Sequence, residues 1–229
     1  MMISLREKWE NGLSEELYYW DAWLEGRLLN AEERAFRLSS NRPFPWWVKP
    51  LIPKQADEVR ILDVGAGPVT ELGAFWEGRE VEIVAVDPLA EPYGELLKKY
   101  SVNPPVRTIN GSGEQLVRQF GEDAFHFVFA RNSLDRSVEP IECYREIIRV
   151  LRPGCSLVTL HEANNGEKNN YEGVNQWNFS LSEQRLMVWN HTGNWELVEQ
   201  LEDVGSHRVE MDRNLIKLTL TKKAAPASA

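Results

Sequence analysis

Between residues 59 and 160 the chain repeats one unit: a short apolar run, a turn, then apolar residues at helical spacing. The runs cover residues 59–64, 81–86, 106–109, 125–130 and 156–160. Between them stand Leu72, Phe75 and Trp76, closed by Gly78; then Leu89, Tyr93, Leu96, Leu97 and Tyr100; then Ile141, Tyr144, Ile147, Ile148 and Leu151, stopped by Pro153-Gly154. Runs as continuously apolar as 125–130 suit strands covered on both faces, and alternation with helices requires crossover connections between parallel strands. The pattern predicts an α/β fold with a doubly wound sheet. Near the end, residues 207–211 and 215–221 flank Asp212-Arg213-Asn214, which predicts an antiparallel hairpin and completes a mostly parallel sheet of seven strands.

The first 57 residues read differently. Leu13, Leu17, Trp20 and Leu24 lie on one helical stripe, and Ser14-Glu15-Glu16 offers a cap and an acidic first turn, so a helix is expected over about 14–26. Asn30 and Glu33 resemble a capping pair for a second helix through Phe36 and Leu38. Pro43, Pro45, Pro50 and Pro53 then remove donors and restrict their neighbours, so regular structure is expected to stop. Residues 1–57 are read as a helical cap and Pro-rich linker, 58–223 as the main domain, and 224–229 (AAPASA) as a disordered tail.

Composition excludes several classes of function. A chain of 229 residues holds one sizeable core, not two independent enzymes. Its 26 lysines and arginines against 35 aspartates and glutamates leave a net charge of -9, which supplies no cation surplus for nucleic acid or an anionic leaflet. No apolar stretch approaches the roughly 20 residues of a membrane span. The opening MMISLREKWE lacks the apolar core of a secretory signal, and two cysteines, Cys143 and Cys155, cannot build a zinc cluster alone. A cytoplasmic location with reduced thiols is expected.

In an open parallel sheet the ligand sits at the carboxyl ends of the strands. The first strand ends in Asp63-Val64-Gly65-Ala66-Gly67-Pro68, where the glycines allow a tight turn and Pro68 suits a first helical position. The second strand ends in Asp87, placed to accept hydrogen bonds from two ribose hydroxyls. A dinucleotide fingerprint would need glycine at Thr70. Asp63 would also repel a pyrophosphate, whereas it suits a ligand bearing ammonium and sulfonium groups, such as S-adenosylmethionine.

Four segments in order, ILDVGAGPVTELG (61–73), VEIVAVDP (81–88), FHFVFARNSLDRSVEP (125–140) and IIRVLRPGCSLVTLHE (147–162), resemble a class I S-adenosylmethionine-dependent methyltransferase. The resemblance covers about residues 59–161 and implies a cofactor site position by position. Asp63, Gly65, Ala66 and Gly67 would hold the methionine portion, and Asp87 with Pro88 the ribose. Ser112, Gly113 and Glu114 would border the adenine, and Arg131 and Asn132 would lie against the cofactor after the fourth strand. Three positions depart from the pattern. Val69 stands for a third glycine, Ser112 for an adenine-side carboxylate that Glu114 could replace, and His126 for an aspartate at the remote end of the fourth strand.

Methyltransferases of nucleobase amines carry Asn/Asp-Pro-Pro-aromatic after the fourth strand, where this chain has Ala130-Arg131-Asn132-Ser133. Asn103-Pro104-Pro105 precedes the third strand and reads as a turn. The expected reaction is methylation of a small-molecule acceptor at a hydroxyl oxygen, a carbohydrate or glycoconjugate being one candidate. His161, where the fifth strand ends, is either the general base or a strand cap, because an imidazole titrates near neutrality. Asp135 and Arg136 follow the fourth strand, and Arg136 could hold an anionic substrate group. Tyr171 and Trp177, in the polar loop after the fifth strand, offer aromatic faces to a polyhydroxylated ring. Tyr19 and Trp23 could form a lid, while Trp20 reads as packing glue. No metal site is expected from Asp135, His161 and Asn164. Two other readings share these residues: a catalytically silent S-adenosylmethionine-binding sensor or scaffold, and a nucleotide enzyme on a similar sheet.

Overall fold

The computed structural model describes residues 4–28, 31–54 and 58–225. Its helices are α1 (Leu5–Glu25), α2 (Ala31–Leu38), α3 (Ala90–Lys99), α4 (Leu116–Phe120), α5 (Pro140–Val150) and α6 (Asn165–Lys168). Its strands are β1 (Glu58–Val64), β2 (Glu80–Asp87), β3 (Thr108–Asn110), β4 (Phe125–Arg131), β5 (Leu151–Glu162), β6 (Asn178–Ser182), β7 (Arg185–Asn190), β8 (Gly193–Glu196), β9 (Val204–Asp212) and β10 (Leu215–Lys222). Seven of them form one sheet in the order β3-β2-β1-β4-β5-β10-β9. The first five pair in parallel, while β10 runs antiparallel to both β5 and β9. β1 is therefore flanked on both sides, and its side chains from Ile61 to Val64 are buried, as the apolar run requires. The terminal hairpin turns at Arg213, whose φ of 54° is left-handed, within the predicted span.

Three elements differ from the sequence expectation. The stripe Leu72, Phe75, Trp76 does not form a helix, and residues 65–79 run as a loop between β1 and β2. The Pro-rich segment claims that loop's backbone: Phe44 N–H donates to Phe75 O at 2.6 Å and Phe75 N–H to Arg42 O at 3.1 Å. Phe44 also stacks on Trp76 at 5.3 Å. Tertiary pairing here outweighs a weak local propensity. Phe44, Val48 and Ile52 then fill the sheet face that the missing helix would have covered, beside Val59, Ile61, Leu72, Phe127 and Phe129.

A second difference follows the polar loop after β5, where β6, β7 and β8 make a separate antiparallel sheet. It buries Phe179, Leu186 and Val188 in the main core. The β6–β7 turn places Glu183 and Gln184 at φ of 48° and 65°, a conformation for which Asn-Gly is the usual sequence signal. Without that signal the hairpin left no mark that reading could find.

The third is α1, which starts at Leu5, well before the expected 14. Its capping box is Ser4 with Glu7: Glu7 N–H donates to Ser4 Oγ at 3.2 Å, and Ser4 N–H to Glu7 Oε2 at 2.8 Å. Gly26 closes it in the left-handed conformation. α2 begins at Ala31; Asn30, read as its cap, lies outside the described residues. Gly12, in the middle of α1, has no Cβ because the helix touches the chain at Gly173. A Cβ there would sit 2.5 Å from Gly173 backbone atoms.

Helix propensity alone says that Gly12→Ala stabilises α1 by about 1 kcal/mol. The backbone contact reverses that sign, because overpacking typically costs about 1–3 kcal/mol. Urea unfolding of the variant should show a lower midpoint than the parent; a higher one would mean that α1 does not dock on Gly173.

Candidate active site

The carboxyl ends of β1, β2 and β4 open into a cavity of about 630 Å³, roofed by α1. That volume suits a nucleoside-sized ligand, since small-molecule sites run from about 300 to 1,000 Å³. All eleven residues expected at a cofactor line it: Asp63, Gly65, Ala66, Gly67, Asp87, Pro88, Ser112, Gly113, Glu114, Arg131 and Asn132.

The turn after β1 folds back onto the end of β2. Gly65 and Ala66 N–H groups donate to Val86 O at 2.8 and 3.1 Å, and Gly67 N–H donates to Asp87 Oδ2 at 3.1 Å. Gly65 and Gly67 have φ of 68° and 64°, and a Cβ on Gly65 would lie 2.3 Å from Ser133 Cβ. Leu89 N–H donates to Asp87 Oδ1 at 2.9 Å, so each carboxylate oxygen accepts one backbone bond and keeps a lone pair. Asp63 accepts from the hydroxyl of Thr70, which in turn accepts from Leu72 N–H at 3.0 Å. Thr70 stands where a dinucleotide motif would carry glycine; here its side chain fixes Asp63.

Both carboxylates are buried, and loss of water dominates their titration. Burial pushes Asp63 up to about 7, against the Thr70 bond. Burial likewise pushes Asp87 up to about 6, against its two backbone bonds, and Glu16 on α1 adds to the rise.

The sequence pointed to an N-terminal helical cap with Tyr19 and Trp23 as a lid, but not to the residues that form its wall. Trp9, Leu13, Glu16 and Trp20 from α1 line the cavity, and a Cβ on Gly67 would meet the Trp20 ring at 2.4 Å. Trp20 is thus a wall of the cavity and not only glue. Tyr19 lines it as well. Glu16 accepts from Arg136 Nη1 at 2.5 Å, and Trp9 Nε1 donates to Arg136 O at 2.7 Å, tying α1 to the turn after β4. Arg136 therefore spends its charge on the roof. At the other wall Glu71 meets Arg131 at 2.6 Å and Arg37 at 3.7 Å. The high tryptophan count of the N-terminus was the available signal for this roof. Glu114, on the floor, accepts from Ser112 Oγ and from the N–H groups of Val138 and Glu139 at 3.1 and 3.3 Å.

The remaining expected residues lie off the cavity surface. His161 and Asp135 are each 1% exposed, with His161 Nδ1 at 3.2 Å from Asp135 Oδ1. His161 stands edge-on to Phe179, and its Nε2 is buried with no hydrogen-bond partner. Trp23 is packed with Leu24, Val69 and Leu97. Trp177 belongs to the main core and donates to Val138 O at 3.1 Å; Tyr171 packs against His191 with the ring centroids 3.8 Å apart. Remote from the edge, His126 accepts from Arg60 N–H at 3.1 Å.

A carboxylate whose folded pKa is raised stabilises the fold only at low pH. From its ordinary 3.8 to about 7, Asp63 releases its proton more readily unfolded than folded, so stability is lost as pH rises through that window. Asp63→Asn should therefore raise Tm more at pH 8 than at pH 4, by roughly 2–4 °C for each kcal/mol relieved. Equal shifts at the two pH values, measured by calorimetry, would show that Asp63 is not desolvated.

A family model described as a methyltransferase domain matches residues 62–159. Among solved structures, a chain of the complex formed by the Haloferax volcanii Trm112 methyltransferase activator superposes at a TM-score of 0.54 and 14% identity, over 93% of this chain and 99% of that one. The [4+2]-cyclase SpnF gives the same score and identity over 95% and 97%. A S-adenosylmethionine-dependent methyltransferase from Methanosarcina mazei reaches 0.48 at 15% identity over 80% and 100%. At such identities a likeness speaks for the fold alone. No curated protein matches the chain. The family match falls on the strands that carry Asp63, Asp87 and Arg131, and through it residues 62–159 of this chain form a class I S-adenosylmethionine-dependent methyltransferase domain.

Proposed function

We propose that the chain methylates a small-molecule acceptor at an oxygen, with the cofactor held by the eleven expected residues among those that line the cavity. The observation that carries the small-molecule reading is the roof: α1 crosses the cavity and is tied down at Arg136 and Gly67. A duplex or a folded protein surface would have to displace it. No described helix is long and apolar enough to cross a membrane. Both cysteines are free and buried, consistent with a reducing, cytoplasmic setting.

The donor set fits the cofactor. Asp63 and Asp87 present buried carboxylates to the cavity, which favours a ligand carrying ammonium and hydroxyl groups over one carrying phosphates. The turn after β1 opens no helix, so it also lacks the helix dipole that phosphate sites use. Asp63 would hold the ammonium and Asp87, through its remaining lone pairs, the ribose hydroxyls. Ser112 and Gly113 would border the adenine, since Glu114 is already engaged by Ser112 and two backbone N–H groups. When bound, S-adenosylmethionine would supply a methyl carbon on cationic sulfur, open to in-line attack by the acceptor oxygen as the carbon–sulfur bond breaks and adenosylhomocysteine leaves with the electron pair.

For the proton of a hydroxyl acceptor, the proposed base is His161. With Nδ1–H donated to Asp135, Nε2 is left with its lone pair free, the tautomer a base requires. That nitrogen has no partner in a buried setting, and an unmet buried polar atom costs about 1–3 kcal/mol, so its presence calls for a role. His161 would act on an acceptor that displaces the side chains now covering it.

The test is to incubate the protein with methyl-labelled cofactor and an ultrafiltered metabolite extract, then look for a labelled small molecule. Label found only on protein or nucleic acid in whole lysate would refute the reading. His161→Asn should lower turnover of the labelled product by about 100-fold or more while adenosylhomocysteine affinity stays within about twofold. Unchanged turnover would remove His161 from the reaction.

Cofactor binding should also depend on pH. A ligand ammonium binds the ionised form of Asp63, whose proton leaves at about 7 in the free protein, so binding releases a proton. Calorimetry should show adenosylhomocysteine affinity rising from pH 5.5 to 8 and levelling above. An affinity that falls over this range would contradict the carboxylate role.

A further inference from the structure

A second concavity of about 410 Å³ adjoins the cofactor cavity and shares Glu71, Phe129 and Arg131 with it. It exists because the Pro-rich segment, in place of a helix, lies against the loop between β1 and β2. Phe36 and Trp46 both line it and are 54% and 81% exposed, which puts two open aromatic rings on one groove. Its base is apolar, from Leu72, Phe129 and Leu160.

The charges here run against the protein as a whole. Three cations, Arg42, Lys49 and Arg131, face one carboxylate, Glu71, a surplus of two positive charges in a chain of net charge -9. Glu71 is already shared by Arg131 and Arg37. Among the described residues Arg42 and Lys49 make no ion pair. The Arg42 guanidinium lies over the Phe36 ring at 5.4 Å and the Lys49 ammonium over Trp76 at 5.2 Å. A ring face attracts a cation but accepts few of its N–H bonds. Arg42 Nη1 is buried with no hydrogen-bond partner at all.

We propose that this groove is the acceptor site and that the acceptor is a planar aromatic acid, its anionic group held by Arg42 and Lys49 and its ring by Trp46 and Phe36. The inference rests on the methyl-transfer reading and names its substrate class; an acceptor held here does not use His161 as its base, because Leu160 faces the groove while His161, next in β5, faces Phe179 on the other side of the sheet. The argument is charge complementarity on an apolar floor. A neutral apolar ligand leaves the buried guanidinium nitrogen unmet, and a small inorganic anion leaves the exposed rings uncovered. Only a ligand with both parts satisfies both walls. The shared wall of Glu71, Phe129 and Arg131 gives such a ligand contact with the cofactor cavity.

The probe is naphthalene-2-carboxylate, titrated into the full chain by calorimetry, with 2-naphthylmethanol as its neutral counterpart and adenosylhomocysteine in parallel samples. The carboxylate should bind saturably, and at least tenfold more tightly than the alcohol. Arg42→Gln should weaken the carboxylate about tenfold or more, and Lys49→Gln and Trp46→Ala should weaken it to a smaller degree. Equal binding of acid and alcohol, or equal binding to parent and Arg42→Gln, overturns the proposal. Loss of adenosylhomocysteine binding in Arg42→Gln, with Lys49→Gln leaving the carboxylate unaffected, also overturns it, by assigning Arg42 to the cofactor. Failure of the carboxylate with adenosylhomocysteine still bound sinks the acceptor class and leaves methyl transfer standing. Carboxylate binding without adenosylhomocysteine binding sinks methyl transfer instead.

Discussion

Keeping two carboxylates out of water at the carboxyl ends of adjacent parallel strands is the constraint that organises this molecule. β1 and β2 run in register, so Asp63 and Asp87 end at the same edge of the sheet. Neither could be tolerated there without compensation, because a buried carboxylate unmet by donors is costly. Thr70 meets Asp63, and the turn after β1 bends back until Gly67 N–H reaches Asp87. The glycines at 65 and 67 are the residues that allow this bend. What remains is a pair of carboxylates whose titration burial raises, to about 7 for Asp63 and about 6 for Asp87, so that a bound cation gains the charge which water no longer stabilises.

The roof and the edge depend on one another. α1 brings Trp20 over the glycine turn and Glu16 close enough to raise Asp87. Lys99 and Tyr100, at the end of α3, hold Asp21 of α1 at 2.6 and 3.0 Å, while Arg136 holds Glu16. These attachments hold α1 against the cavity it lines, so that side is covered from bulk water. Shielding strengthens any charge interaction beneath it.

The departure from a regular doubly wound sheet lies on the face beside β1. Four prolines leave the segment after α2 with few backbone bonds of its own, and it takes them from the loop at Phe75. Once Phe44, Val48 and Ile52 cover the sheet, no helix is needed there. The same substitution leaves Arg42 and Lys49 beside exposed aromatic rings, so the cationic groove follows from a choice made for packing.

Some of this was legible in the chain. Apolar runs alternating with helical stripes told the sheet and its parallel core, Asp87 told the end of β2, and Asp212 to Asn214 told the hairpin turn, because each signal is local and periodic. The lining of the cavity at the strand ends was legible for the same reason: a strand end and its turn are adjacent in sequence. The absent helix at Leu72, the roof at Trp20, the buried pair of Asp135 with His161, and the sheet of β6 to β8 were not. Each depends on what a segment meets across the fold: Phe75 on the Pro-rich segment, Trp20 on Gly67, His161 on Phe179. Backbone bonds and buried contacts between residues dozens of positions apart outweigh local preferences of a kcal/mol or less, and they come into being only once the sheet has closed around them.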